Sequence, residues 1–199
     1  MELNSKQKRQ KVLLEIKDLF IGAAFPVMLQ LILSASVIMF ADANGEIAIQ
    51  AFALAVGEIM LIAAYVIFGR QNGISAYRKT VVTSKKREME SSDIKVYYKT
   101  GEYALWKGAV IGAVTVIPFI IFQFIQCLAH NTFCEFILKY AFGWATYPFI
   151  VFGVETDWLN FIWIIIPIGV HTAAYFWGAY KERKRQELLE KAQEIGKKK

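Results

Sequence analysis

Residues 132–153, TFCEFILKYAFGWATYPFIVFG, decide how many times this chain crosses a membrane. By hydropathy alone the stretch is a span, since a bilayer core asks for roughly 20 apolar residues of helix. Its content points elsewhere. Glu135 and Lys139 carry charge, Trp144 and Tyr147 are amphipathic aromatics, and Pro148 removes a backbone donor. Such a mixture suits an interface, or a re-entrant hairpin shielded by protein.

The distribution of basic residues supports the same reading. Of the 23 Lys and Arg residues, 22 fall in three clusters: five in 6–17, nine in 70–107 and eight in 181–199, with only Lys139 elsewhere. Cytoplasmic flanks of membrane spans are enriched in Lys and Arg. If 132–153 crossed, the tail from Lys181 to Lys199 would lie on the opposite side from the other two clusters. Four spans place all three clusters together.

Four apolar runs meet the length requirement, at about 19–41, 47–69, 104–129 and 158–180. The expected fold is therefore all-α: a polytopic membrane protein with a four-transmembrane-helix bundle and an extra extracytoplasmic interfacial or re-entrant segment at 130–157. Residues 1–18 read as a cytoplasmic amphipathic helix at the inner headgroup layer, because charges alternate there with Val12, Leu13, Leu14 and Ile16. Their apolar continuation is too long for a secretory signal, so it reads as a retained first span. Residues 70–103 form the cytoplasmic loop, an interfacial helix followed by a flexible charged stretch around Ser84–Asp93. Residues 181–199 form a basic cytoplasmic helix. Asn44-Gly45 marks the reversal between the first two spans.

Composition agrees. The chain of 199 residues is 56% hydrophobic and 15% aromatic, ordinary values for a membrane domain and odd ones for a soluble domain. Its net charge of +6 is explained by orientation and by anionic headgroups, which leaves nothing for nucleic acid to account for. The implied location is a cell membrane, the bacterial cytoplasmic one, with both termini inside.

Glu58 stands out among candidate functional residues, since an ionisable group mid-span costs several kcal/mol if it faces lipid. His171 lies about as deep in the fourth span, so the two are read as a midplane pair able to pass a proton or hold a cation. Gln30 and Gln123 extend this candidate intramembrane polar site. The plainer reading is that all four residues join helices by hydrogen bonds. Gly108-x-x-x-Gly112 in the third span suits close helix packing.

Cys127, His130 and Cys134 have a spacing that permits zinc, but a clear fourth ligand is missing. A disulfide and two unpaired apolar cysteines are the other readings, and the last needs no special geometry. No metal or other cofactor is called for. Nucleophile-elbow, zincin and Walker patterns are absent, and the two histidines sit at different depths, so no enzyme is expected. The leading expectation is a non-enzymatic accessory, regulatory or assembly subunit that touches anionic headgroups and a protein partner or a second copy of itself. The alternative is an oligomeric proton- or cation-coupled transporter or channel that uses Glu58 and His171.

Overall fold

A computed structural model describes residues 5–44, 46–89, 103–151, 153 and 157–197. Every regular element among them is helical: α1 (Ser5–Asn44), α2 (Ile47–Met89), α3 (Leu105–Ala129), α4 (Thr132–Ala141), α5 (Gly143–Val151), a 3₁₀ segment (Asp157–Ile164) and α6 (Ile165–Lys197). Four stretches are long and apolar enough to cross a membrane: Val12–Ala43, Ile47–Val82, Leu105–Ala129 and Trp158–Ile195. Gly45, the charged stretch from residue 90, and the Glu155-Thr156 turn lie outside the described residues.

The long helices alternate in direction, and their polar ends meet. Asp18 of α1 pairs with Lys79 of α2, Arg78 of α2 with Glu182 of α6, and the Tyr103 amide before α3 donates to Thr80. The described parts of all three basic clusters therefore gather at one end of the bundle. Asp42 and Lys139 meet at the other end. Residues 5–18, 70–89 and 181–197 continue the long helices without a break; no separate interfacial helix turns off at 18 or 70.

Glycine sets the closest helix contacts. Gly69 and Gly73 of α2 face the backbone of α6 at His171 and Tyr175, and Gly178 of α6 faces the Arg70 carbonyl, with no room for a β-carbon at any of the three. Gly108 and Gly112 of α3 press on α6 from another side, against Tyr175 and Ile168. Both G-x-x-x-G pairs thus receive the same helix, which is how small residues let backbones approach without lipid-facing hydrophobic force. Pro167 is easily accommodated, since it falls in the first turn of α6, where its missing N–H has no intrahelical role.

The segment that decides the topology folds as two short helices. α3 ends at His130 in the left-handed region (φ 43°), and Asn131 caps α4 by accepting from the amides of Phe133 and Cys134. At 10 and 9 residues, α4 and α5 are about 15 and 13 Å long, half of a bilayer core. Phe142 through Pro148 are all buried, packed on α1, α2 and the 3₁₀ segment. Phe119 of α3 meets Phe142, Trp144 and Phe161 there, so this half of the bundle has an aromatic core.

Candidate intramembrane site

Gln30 and Ser34 are one turn apart on α1 and face the interior, with 0% and 5% of their surface exposed. Glu58 of α2 and Trp144 of α5 face them across a cavity walled otherwise by apolar residues such as Leu33, Leu54 and Leu61. The space holds about one water-sized body. Four buried polar atoms on its wall have no hydrogen-bond partner in the protein: Gln30 Nε2, Ser34 Oγ, Glu58 Oε1 and Trp144 Nε1. Leaving one such atom unpaired costs about 1–3 kcal/mol, so four on one cavity are a feature that packing alone does not explain.

Behind this wall runs a polar chain. The Tyr65 hydroxyl is 2.7 Å from Gln30 Oε1 and 3.2 Å from Thr115 Oγ1, and Thr115 donates to the Gly112 carbonyl at 2.6 Å. Gln30 and Tyr65 are both buried, so α1, α2 and α3 are joined at this level.

His171 is elsewhere. Its Nδ1 is 3.0 Å from the Gly108 carbonyl, which can only accept, so Nδ1 carries the proton. Its Nε2 is then the acceptor for the Asn72 amide at 3.3 Å, and the same Nδ2 donates to the Gly22 carbonyl at 3.1 Å. One clasp therefore ties α1, α2, α3 and α6 together and holds the imidazole neutral. Glu58 and Asn72 are about 21 Å apart along α2 at 1.5 Å per residue. The structure does not bring Glu58 and His171 together. The 3₁₀ segment at 157–164 lengthens the path by only about 4 Å over an α-helix, so most of the separation lies in the register of α6 against α2, which sets His171 beside Gly69 and Asn72.

Gln123 is also separate. It accepts from the Asn160 amide at 3.3 Å and lies 3.7 Å from Cys127 Sγ, linking α3 to the 3₁₀ segment. Of the four residues picked from the sequence, Gln30 and Glu58 share a cavity, and His171 and Gln123 each join helices at other levels. Ser34, Trp144 and Asn72 were missed. Ser34 had a signal, its spacing of four from Gln30; Trp144 reads as an interfacial aromatic, yet only 5% of it is exposed.

No disulfide joins Cys127 and Cys134, and among the described residues no three of His, Cys, Asp and Glu converge on a metal-sized space. At the end of the bundle opposite the basic clusters, Asp42 accepts from Lys139 at 2.8 Å and from the Tyr140 and Tyr147 hydroxyls at 3.1 Å each, fastening α4 and α5 to the end of α1. The carboxylate beside Lys139 raises its pKa above the ordinary lysine value. At the basic rim, Arg70 and Lys181 lie 5.1 and 4.6 Å from the Trp177 ring centre. No family model matches the chain, and no curated protein or solved structure matches it either.

Proposed function

We propose that this chain is a four-span integral protein of the bacterial cytoplasmic membrane, with both termini inside. In this reading it is a non-enzymatic accessory, regulatory or assembly subunit. The gathering of Lys and Arg at one end of an apolar bundle supports the orientation. Arg70 and Lys181 against Trp177 suit the headgroup layer, where aromatic bodies and cationic heads both find partners.

The observation that carries the subunit reading is the clasp of Gly22, Asn72, Gly108 and His171. It commits the histidine to holding four helices, where a catalytic or relay role would need a free ring nitrogen. Extraction in mild detergent should yield a stoichiometric protein partner or a homo-oligomer. A stable, inert monomer under the same conditions rejects the reading.

The cavity of Gln30, Ser34, Glu58 and Trp144 favours a second reading, an oligomeric proton- or cation-coupled transporter or channel. Flux in proteoliposomes that disappears on Glu58→Gln would select it. His171 has no part in that version.

A further inference from the structure

Several cations at the basic end of the bundle have a carboxylate. Arg78 and Arg185 share Glu182, Lys79 meets Asp18, and Arg183 meets Glu187. Arg70 and Lys181 have no such pairing among the described residues. Both turn to one indole instead: the Arg70 guanidinium carbon lies 5.1 Å, and the Lys181 ammonium 4.6 Å, from the Trp177 ring centre. Two positive charges are therefore held within about 10 Å of each other, close to one Debye length. The face of a ring attracts each cation but cancels neither charge, so the arrangement lacks an anion.

The fold makes this pair. Lys181 follows Trp177 by one turn of α6, and Arg70 arrives from α2, where its own carbonyl abuts Gly178. All three side chains are exposed. Toward the bilayer interior the same row of α6 continues as Ala173 and Gly169. Both are exposed, and nothing lies within 4 Å of where a Gly169 β-carbon would stand. Small residues beneath an indole leave a shallow furrow at the depth of lipid chains. The patch is cationic above, aromatic in the middle and apolar below.

We infer that this is a binding site for one anionic phospholipid, with its phosphate between Arg70 and Lys181 and a chain along the furrow under Trp177. A guanidinium offers paired N–H donors that match two phosphate oxygens, and an ammonium adds a compact point charge. A zwitterionic lipid brings its own cation to a place that already holds two, so a headgroup of net negative charge is favoured. Free phosphate has the same oxygens but makes no use of the indole or the furrow. The site rests on the reading that the basic end of the bundle lies in a headgroup layer, and it gives the anionic headgroups one defined position there.

Native mass spectrometry of the purified full chain in detergent micelles, titrated with phosphatidylglycerol or with phosphatidylcholine of the same chains, tests the site. One phosphatidylglycerol should be retained at concentrations where phosphatidylcholine is not. Arg70→Gln and Lys181→Gln should each weaken retention about fivefold, while Lys181→Arg keeps the charge and should keep the lipid. Arg183→Gln removes the same charge from the same end, but from a cation with a carboxylate partner, and should change retention by no more than about twofold. Phosphatidylglycerol brominated in its chains should quench less emission in Trp177→Phe than in the unmodified chain. Equal retention of the two lipids would overturn the inference, as would equal losses in Arg183→Gln and Lys181→Gln, the mark of diffuse attraction. A phosphate adduct as persistent as the lipid would assign the two cations to a free anion and overturn it too. Binding in micelles does not depend on orientation in a membrane, so a failed site leaves the topology standing, and a reversed topology leaves the site intact.

Discussion

Gly73 of α2 lies directly against the Tyr175 carbonyl of α6, at a separation that a β-carbon would close to a clash. Gly178 makes the reciprocal approach to the Arg70 carbonyl one turn further along. Backbone is on the receiving side in both cases, so no flexible side chain can yield. Gly73→Ala and Gly178→Ala should each cost about 1–3 kcal/mol or more, the range for overpacking a close contact. Gly169, on the same helix α6, has open space where its β-carbon would be, and Gly169→Ala should leave stability unchanged or slightly improved. Comparing the three by thermal unfolding in one detergent checks the assignment; equal losses would mean that helix propensity rather than α2–α6 approach governs these positions.

The Asn72–His171 contact predicts a tautomer. With Nδ1–H on the Gly108 carbonyl and Nε2 accepting from Asn72, ¹⁵N spectra of the labelled protein should report a neutral ring protonated at Nδ1. Asn72→Leu removes the donor and leaves Nε2 buried without a partner, at about 1–3 kcal/mol. It should also shift the tautomer population, a change that a purely steric defect would not produce. An Nε2-protonated ring in the unmodified chain contradicts the clasp.

Asp42 and Lys139 are both partly exposed, with 29% and 35% of their side-chain surface accessible, so their ion pair is worth about 1 kcal/mol after screening. Asp42→Asn should cost roughly that, and less in high salt. The pH dependence has a definite sign. Lys139 has a folded-state pKa above its ordinary value of 10.5, so its contribution is complete below that value and is lost as pH rises through the raised one. Stability at neutral pH should therefore be flat with respect to Lys139, whose contribution is lost on the alkaline limb of a denaturation profile. The Asp42→Asn variant should lack that component of the limb.

Several of these relationships are legible in the sequence and others are not, for physical reasons. The four apolar helices and the gathering of basic residues follow from local hydropathy and charge, which need no tertiary information. Glu58 and Gln30 are visible because polar groups in apolar runs must find company. Depth is not visible in the same way. Counting residues places His171 level with Glu58 only if both spans start at the same depth, and the register that sets α6 against Gly69 and Asn72 of α2 breaks that assumption, with the 3₁₀ segment adding only about 4 Å. Asn72 follows Arg70 and Gln71 and so reads as part of a polar loop. Only the register with Gly69 and Gly73, on a helix that runs on to Met89, turns it toward α6. Trp144 has the identity of an interfacial anchor, and tertiary packing overrides that identity.

The short helices α4 and α5 carry the sharpest prediction, because they determine which side of the membrane the C-terminal tail occupies. Each is half the length of a span, and they meet at Phe142–Gly143, where Gly143 packs on Ile38 and Ser34 of α1. With four crossings, the loop after α1 and the tail after α6 lie on opposite sides; a fifth crossing at 132–153 would put them on the same side. Single cysteines test this in a background with Cys127 and Cys134 replaced by alanine. Glu46→Cys, Glu135→Cys and Leu189→Cys all fall at exposed positions. A membrane-impermeant maleimide should label the first two in intact cells and the third only after permeabilisation. Glu135 is the discriminating position between the two ends, since the Asp42–Lys139 pair ties α4 to the end of α1 and should keep Glu135 on the side of Glu46. Labelling of Leu189→Cys together with Glu46→Cys in intact cells would instead require 132–153 to cross, and the charge-based orientation would fall with it.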